Sequence, residues 1–331
     1  MIAARTGDRP KSMGDLLGPG LAARLDRLDL FSRRLFAGKL PGERRSKRRG
    51  RSVEFDDYRE YVAGDDLRHV DWNVLARLDR FFIKLFREDQ DLALQIVVDA
   101  SASMDAGEPG KLAFAARLAM ALAYVGLVNQ NRVALAIYLG PSRGVRALAP
   151  LRGRPNARRI AAALLGAFEQ DGAQGAAQPG TSEAPRPVNA PDFNAALRLA
   201  ARSRAGTGVT VVISDFLLRE GWKPGLNALF GAGGFDTWCV QVLSPGELDP
   251  AKERERGFMG DLRLSDAESL SAAEVTVSPA MIKRYLAALE RLCGTLKTDC
   301  RARGMHYLRV PSDTRVDEFV MGALRRGGLL R

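Results

Sequence analysis

Apolar positions fall into two kinds of run along this chain. Largely apolar stretches at 92–98 (LALQIVV), 132–139 (RVALAIYL), 208–213 (GVTVVI) and 237–243 (TWCVQVL) predict buried strands, and 305–310 (MHYLRV) predicts a further strand. A strand open to water on one side would instead alternate apolar with polar residues. Between these runs, apolar residues spaced three and four apart predict helices over 111–128, 155–168, 193–202, 224–230, 279–303 and 314–325. Pro155 suits the first turn of its helix. Residues 145–150 alternate and predict a strand that forms a hairpin with 132–139, and 260–264 with 274–277 predict a second, small hairpin. Near the start, 21–38 (LAARLDRLDLFSRRLFAG) reads as one amphipathic helix stopped by Gly38.

Strands alternating with helices predict an α/β fold, a doubly wound and mostly parallel sheet with helices on both faces. The pattern divides into an N-terminal helix with a basic arm (1–44), a polar and aromatic segment packed on the main domain (45–87), and the α/β domain (88–331). The stretch 170–191, rich in Gly, Ala, Gln and Pro, predicts a surface loop.

The 331 residues are 46% hydrophobic and 27% charged, which excludes a disordered chain, a collagen-like fibre and a disulfide scaffold. The greasiest stretch, 112–128, contains Arg117 and is bracketed by Lys111 and Asn129, so it predicts a buried helix and not a membrane span. Residues 1–11 have no apolar segment of the secretory kind. Three cysteines, Cys239, Cys293 and Cys300, predict buried thiols of a reducing compartment, hence a cytoplasmic protein.

Charge changes the picture at one end. Of the net +11, residues 1–52 contribute 14 basic against 5 acidic side chains, while the rest is nearly balanced. The densest run, Arg44, Arg45, Lys47, Arg48, Arg49 and Arg51, could neutralise phosphates of nucleic acid or anionic lipid. No aromatic residue interleaves it, which removes the stacking platform single strands need. A solvated linker, or an arm that meets an acidic partner, is the simpler explanation of the run.

The strand at 92–98 ends in Asp99-Ala100-Ser101-Ala102-Ser103, and the strand at 208–213 ends in Ser214-Asp215. Ligands of open α/β sheets gather beyond the carboxyl ends of strands. Asp99, Ser101, Ser103 and Asp215 offer hard oxygen donors of the type that hold Mg²⁺ or Mn²⁺. The same residues are also common turn and helix-capping residues. Gly140-Pro141-Ser142-Arg143-Gly144 matches the G-x-S-x-G of serine hydrolases, with His306 downstream. The strand-like pattern after it favours a hairpin turn over a nucleophile elbow.

D-x-S-x-S after a buried strand, with Ser-Asp ending a later one, resembles the metal-ion-dependent adhesion site of von Willebrand factor A domains. That resemblance implies Mg²⁺ held by Asp99, Ser101, Ser103 and Asp215. The family's middle-loop Thr is replaced by Pro191, leaving Asp192 or Thr181 as substitutes and implying a weak, degenerate site. A second resemblance rests on Ser52-Val53-Glu54-Phe55, Tyr58-Arg59-Glu60-Tyr61-Val62-Ala63-Gly64-Asp65-Asp66-Leu67-Arg68-His69-Val70-Asp71-Trp72, Ala76-Arg77 and Lys84-Leu85-Phe86. This block is similar to the signature of the bacterial family called domain of unknown function 58, in which it runs into a von Willebrand A-like domain. The residues themselves suggest bracing: Arg68 and Arg77 against Asp65, Asp66 and Asp71, under Tyr58, Tyr61 and Trp72, with Gly64 at a turn, His69 within the network and Arg59 beside it in the signature.

The expectation is therefore a non-catalytic interaction or adaptor protein. The resemblance implies a MoxR-type AAA+ ATPase as its protein partner. The alternatives are nucleic-acid or anionic-surface binding through the basic arm, and a serine hydrolase.

Overall fold

The structure, a computed structural model, describes residues 9–32, 54–62, 67–87, 92–169, 192–250, 260–265 and 272–331. The basic run 44–51, Gly64, Asp65, Asp66, and the loop 170–191 with Thr181 and Pro191 lie outside the described residues. The chain divides into two compact units, Met1–Leu35 with Leu92–Arg331, and Phe36–Asp91.

The larger unit is built on a six-stranded sheet. Strands β3 (Ala93–Asp99), β6 (Gly208–Ser214) and β7 (Phe235–Leu243) are buried along their whole lengths. With β4 (Arg132–Tyr138), β5 (Val145–Leu151) and β10 (His306–Pro311) they lie in the order β10-β7-β6-β3-β4-β5. Every neighbouring pair is parallel except β4 with β5, which form an antiparallel hairpin. The chain leaves β3 toward β4 and returns on its other side as β6, so the order reverses at β3. Loops diverge there, at the place where open α/β sheets commonly bind their ligands.

Alternate strand residues feed two separate cores. Ile96, Val98, Val211, Ile213 and Val240 pack with helix α4 (Lys111–Val128) and helix α5 (Ala157–Leu165). Val97, Val212 and Cys239 pack on the opposite face with α6 (Phe193–Arg202), α7 (Lys223–Gly231) and α9 (Pro279–Ala302). Leu289, Cys293, Leu296 and Cys300 form the buried stripe of α9 at helical spacing. All three cysteines are free and buried.

Helix α4 is long and apolar enough to cross a bilayer by length and composition, yet all of it except Arg117 and Val128 is buried inside the protein. A helix without a polar face needs cover on its outer side. The N-terminal segment supplies it. Helices α1 (Met13–Leu17) and α2 (Leu21–Leu25) lie against α4, and Leu16, Leu17, Leu21, Leu25, Leu28 and Leu30 join its core.

This arrangement corrects the single helix expected over 21–38. The chain leaves the helix at Asp26, and Leu30 instead makes an antiparallel bridge to Leu330. Asn129 Nδ2 donates to the Leu28 carbonyl at 2.7 Å, and Tyr124 Oη donates to Asp26 at 3.0 Å. The closing helix expected over 314–325 is present and runs from Val316 to Gly327, with α10 at Val316–Phe319 passing into a π-helical turn over Val320–Leu324 and a last helical turn at Arg325–Gly327.

A separate ladder, β8 (Gly260–Ser265) with β9 (Ala272–Val277), forms the small antiparallel hairpin. In the smaller unit, β1 (Glu54–Glu60) and β2 (Phe82–Arg87) pair antiparallel, with α3 (Trp72–Leu78) between them in sequence.

A charged candidate site at the carboxyl end of the sheet

The parallel register sets Val98 beside Ile213, so β3 and β6 end together. Asp99 leaves β3 fully buried. Its Oδ1 accepts from the Ser101 backbone N–H at 3.0 Å and from Ser101 Oγ at 2.6 Å. Its Oδ2 accepts from Ser214 Oγ at 2.7 Å. The Ser101 and Ser103 hydroxyls lie 3.1 Å apart. Asp215, one residue past β6, accepts the Leu217 N–H on Oδ1 at 3.0 Å, while its carbonyl accepts from Gln241 on β7 at 2.8 Å. Phe216 follows with φ 55°, a left-handed conformation that strains a bulky side chain and marks a fixed turn.

The other oxygen of Asp215 accepts a charge-assisted hydrogen bond from Lys111 Nζ at 2.8 Å. The same ammonium donates to Glu247 Oε1 at 2.6 Å. Glu247 is itself fixed, because its Oε2 accepts from the Ser244 N–H and Ser244 Oγ caps the Glu247 N–H in a reciprocal box at α8 (Pro245–Leu248). Lys111 reaches this place because the loop before α4 lies against the loop after β7. Gly107 has φ 96°, and a Cβ there would sit 2.6 Å from Ser244 Cβ. Only glycine fits.

Burial, joined by the negative charge of Asp215, pushes the Asp99 carboxyl up to about 7, although the serine hydrogen bonds oppose this. Burial alone would pull the Lys111 ammonium down. Asp215 and Glu247 outweigh it and hold Lys111 above the usual lysine value. Burial, then Glu247, pushes the Tyr285 phenol on α9 up to about 12.

The structure thus brings Asp99, Ser101, Ser103 and Asp215 to one end of the sheet and adds Ser214, Lys111 and Glu247. The set does not fit a resident Mg²⁺. Lys111 already supplies the positive charge at Asp215, and a divalent ion binding there would meet an ammonium. Among the described residues, no group of three or more acidic, histidine or cysteine side chains is arranged to hold a metal. Asp192 offers no replacement donor. It is the N-cap of α6, bonded to the Ala195 N–H at 2.8 Å and to Arg198 at 3.0 Å.

Ser142 lies in the tight turn between β4 and β5, closed by the Gly144 N–H on the Gly140 carbonyl at 2.9 Å and the Leu139 N–H on the Gly144 carbonyl at 2.8 Å. His306 begins β10, with three strands between it and β4 and at the opposite end of the sheet, stacked on Trp238 at 4.0 Å. The hydrolase arrangement is therefore not assembled.

Within the smaller unit, Asp71 is the organising residue of the signature. It caps α3 by accepting from the Asn73 and Val74 N–H groups at 2.9 and 3.3 Å, and it accepts from Tyr58 Oη at 2.8 Å. Its own N–H donates to the Phe82 carbonyl at 2.9 Å. Arg59 and Tyr61 are half-buried, and Arg68 and Arg77 are exposed. Trp72 is 61% exposed, so it does not roof an ionic network as the residue pattern suggested. Helix α3 buries none of its side chains.

Residues 57–292 match the family model described as protein of unknown function DUF58. The chain belongs to this family. Its relatives include the uncharacterized protein Rv1480 of Mycobacterium tuberculosis strain H37Rv. That relative is 30% identical over 330 aligned positions, 97% of this chain and 95% of the relative. The uncharacterized protein Mb1516 of Mycobacterium bovis matches to the same extent. Among solved structures, similarity extends to the conserved hypothetical protein BatB from Bacteroides thetaiotaomicron, with 14% identity and TM-score 0.38 over 71% of this chain and 98% of that one. A von Willebrand factor type A structure from Catenulispora acidiphila shows 14% identity and TM-score 0.32 over 64% and 44%. The fold of this DUF58 protein is von Willebrand factor A-like on its own topology: a doubly wound, mostly parallel sheet flanked by helices, with D-x-S-x-S ending a central strand.

Proposed function

We propose that this DUF58 protein is a non-catalytic adaptor that docks a protein partner on the carboxyl end of its sheet. One observation carries the reading. Three ionisable side chains, Asp99, Lys111 and Asp215, are fully buried beneath loops whose outer surface is open, at Ala102 and Leu217. A core of apolar residues of equal volume would be no less stable than such a buried ionic cluster. What the cluster adds is definition. It ties together the loops that follow β3, β6 and β7 and holds one fixed outer surface, and a preordered surface loses less freedom on docking.

Catalysis is a poorer account, because the carboxylate oxygens and the ammonium are turned inward on one another with hydrogen bonds already made. The partner class comes from the family resemblance: a MoxR-type AAA+ ATPase, with the chain as its adaptor in the cytoplasm. No bound metal is needed for this role.

The test is a binding titration of the immobilised chain with that ATPase at low and at physiological salt. Docking through the strand-end surface predicts an affinity that changes little with salt. Absence of ATPase binding, together with retention on DNA or anionic vesicles that falls about 10³-fold or more with salt, would overturn the reading in favour of the basic arm.

A further inference from the structure

We infer that the Lys111 ammonium is a tethered cation standing where a strand-end site of this kind would otherwise take a divalent metal. Lys111 is the first residue of α4, where the helix dipole favours an anion and repels a cation. Lysine is also among the residues least often buried fully, yet here its side chain is 1% exposed. Both costs are met by the two carboxylates it holds, Asp215 at 2.8 Å and Glu247 at 2.6 Å.

Those carboxylates come from the loops after β6 and β7, and Lys111 ends the loop after β3. One cation therefore cross-links three strand-end loops, as a metal ion bridging the same loops would do. Of the serine hydroxyls that a metal reading assigns as ligands, that of Ser101 is instead turned onto Asp99 and that of Ser103 lies on the Ser101 hydroxyl. An ammonium attached to the backbone cannot be removed by a chelator, and it offers no open coordination position. The cation is then permanently in place, and the site is indifferent to Mg²⁺. This inference concerns the loops alone and does not depend on which partner docks there.

The experiment is thermal unfolding of the full chain in EDTA and in millimolar MgCl₂ or MnCl₂. The wild type is expected to melt at one temperature in all three. Lys111→Ser, which opens the cation position and leaves Asp99, Asp215 and Glu247, is expected to show a saturable rise of about 2–4 °C with metal that EDTA reverses. Folding of Lys111→Ser only in the presence of metal would support the inference equally. If that variant does not fold in either condition, Lys111→Ser with Glu247→Gln, which lowers the uncompensated charge, is read in the same way. A saturable, EDTA-reversible rise in the wild type would overturn the inference, as would a folded Lys111 variant indifferent to metal. If neither variant folds, the wild-type titration decides alone.

Discussion

Lys111 Nζ lies 2.8 Å from Asp215 Oδ2 with both side chains 1% exposed, an ion pair that joins the start of α4 to the turn after β6. Attraction between charges grows as water is excluded, and so does the cost of leaving one of them alone. Lys111→Met would leave Asp215 and Glu247 without their cation and is expected to cost about 3–5 kcal/mol, read as a lower urea midpoint. Arg309→Ala, which removes the exposed pair with Glu290, should leave the midpoint almost unchanged. Equal effects would contradict the structure.

A second prediction concerns the N-terminal segment. Leu25 is fully buried against the outer side of α4. Leu25→Ala is expected to lose about 2–5 kcal/mol, the range for a leucine removed from a packed core. A detached N-terminal arm would lose nothing, and chemical denaturation separates the two.

The pH dependence of stability follows from Asp99. Its folded-state value is raised from 3.8 to about 7, so the folded protein holds this proton more tightly than the unfolded chain. The contribution is complete below about pH 4 and is lost as pH rises to about 7, by at most about 4 kcal/mol. Asp99→Asn keeps an acceptor for Ser101 without the charge. Its unfolding free energy is expected to vary less between those limits than that of the wild type. A wild type whose stability rises through this window in step with Asp99→Asn would refute the assignment.

Much of the architecture was legible because its signals are local. The bounds of α4 and α6 coincide with the periodic apolar runs, and the strand ends at Asp99 and Ser214 follow from continuous apolar stretches. The candidate site was legible only in part. Asp99, Ser101, Ser103 and Asp215 stand at strand ends, whereas Lys111 looked like a charge bracketing an apolar helix. Its partners lie 104 and 136 residues away in sequence, a separation no periodicity reports. Glu247 did carry a local signal, the Ser244-Pro245-Gly246-Glu247 capping box, as did Ser12 with Asp15 at the start of α1. The leucines of 21–30 misled because their spacing suits a helix, while pairing of Leu30 with Leu330 draws the chain into another path.

Gly107→Ala probes how Lys111 is delivered to the site. A methyl group would collide with Ser244 Cβ at 2.6 Å on a backbone with φ 96°. The substitution is expected to destabilise by about 1–3 kcal/mol and to speed amide exchange at the start of α4. Exchange there at the wild-type rate would show that the loop contact does not position Lys111.

The central claim, that the strand-end loops form the docking surface, is tested most directly by measuring the ATPase affinity of Ala102→Arg and Leu217→Arg beside that of the wild type. Both positions are exposed on the loops over the buried charges, so melting temperatures should hold while affinity falls at least about tenfold, or 1.4 kcal/mol. Wild-type affinity in both variants would place the contact on another surface and contradict the account.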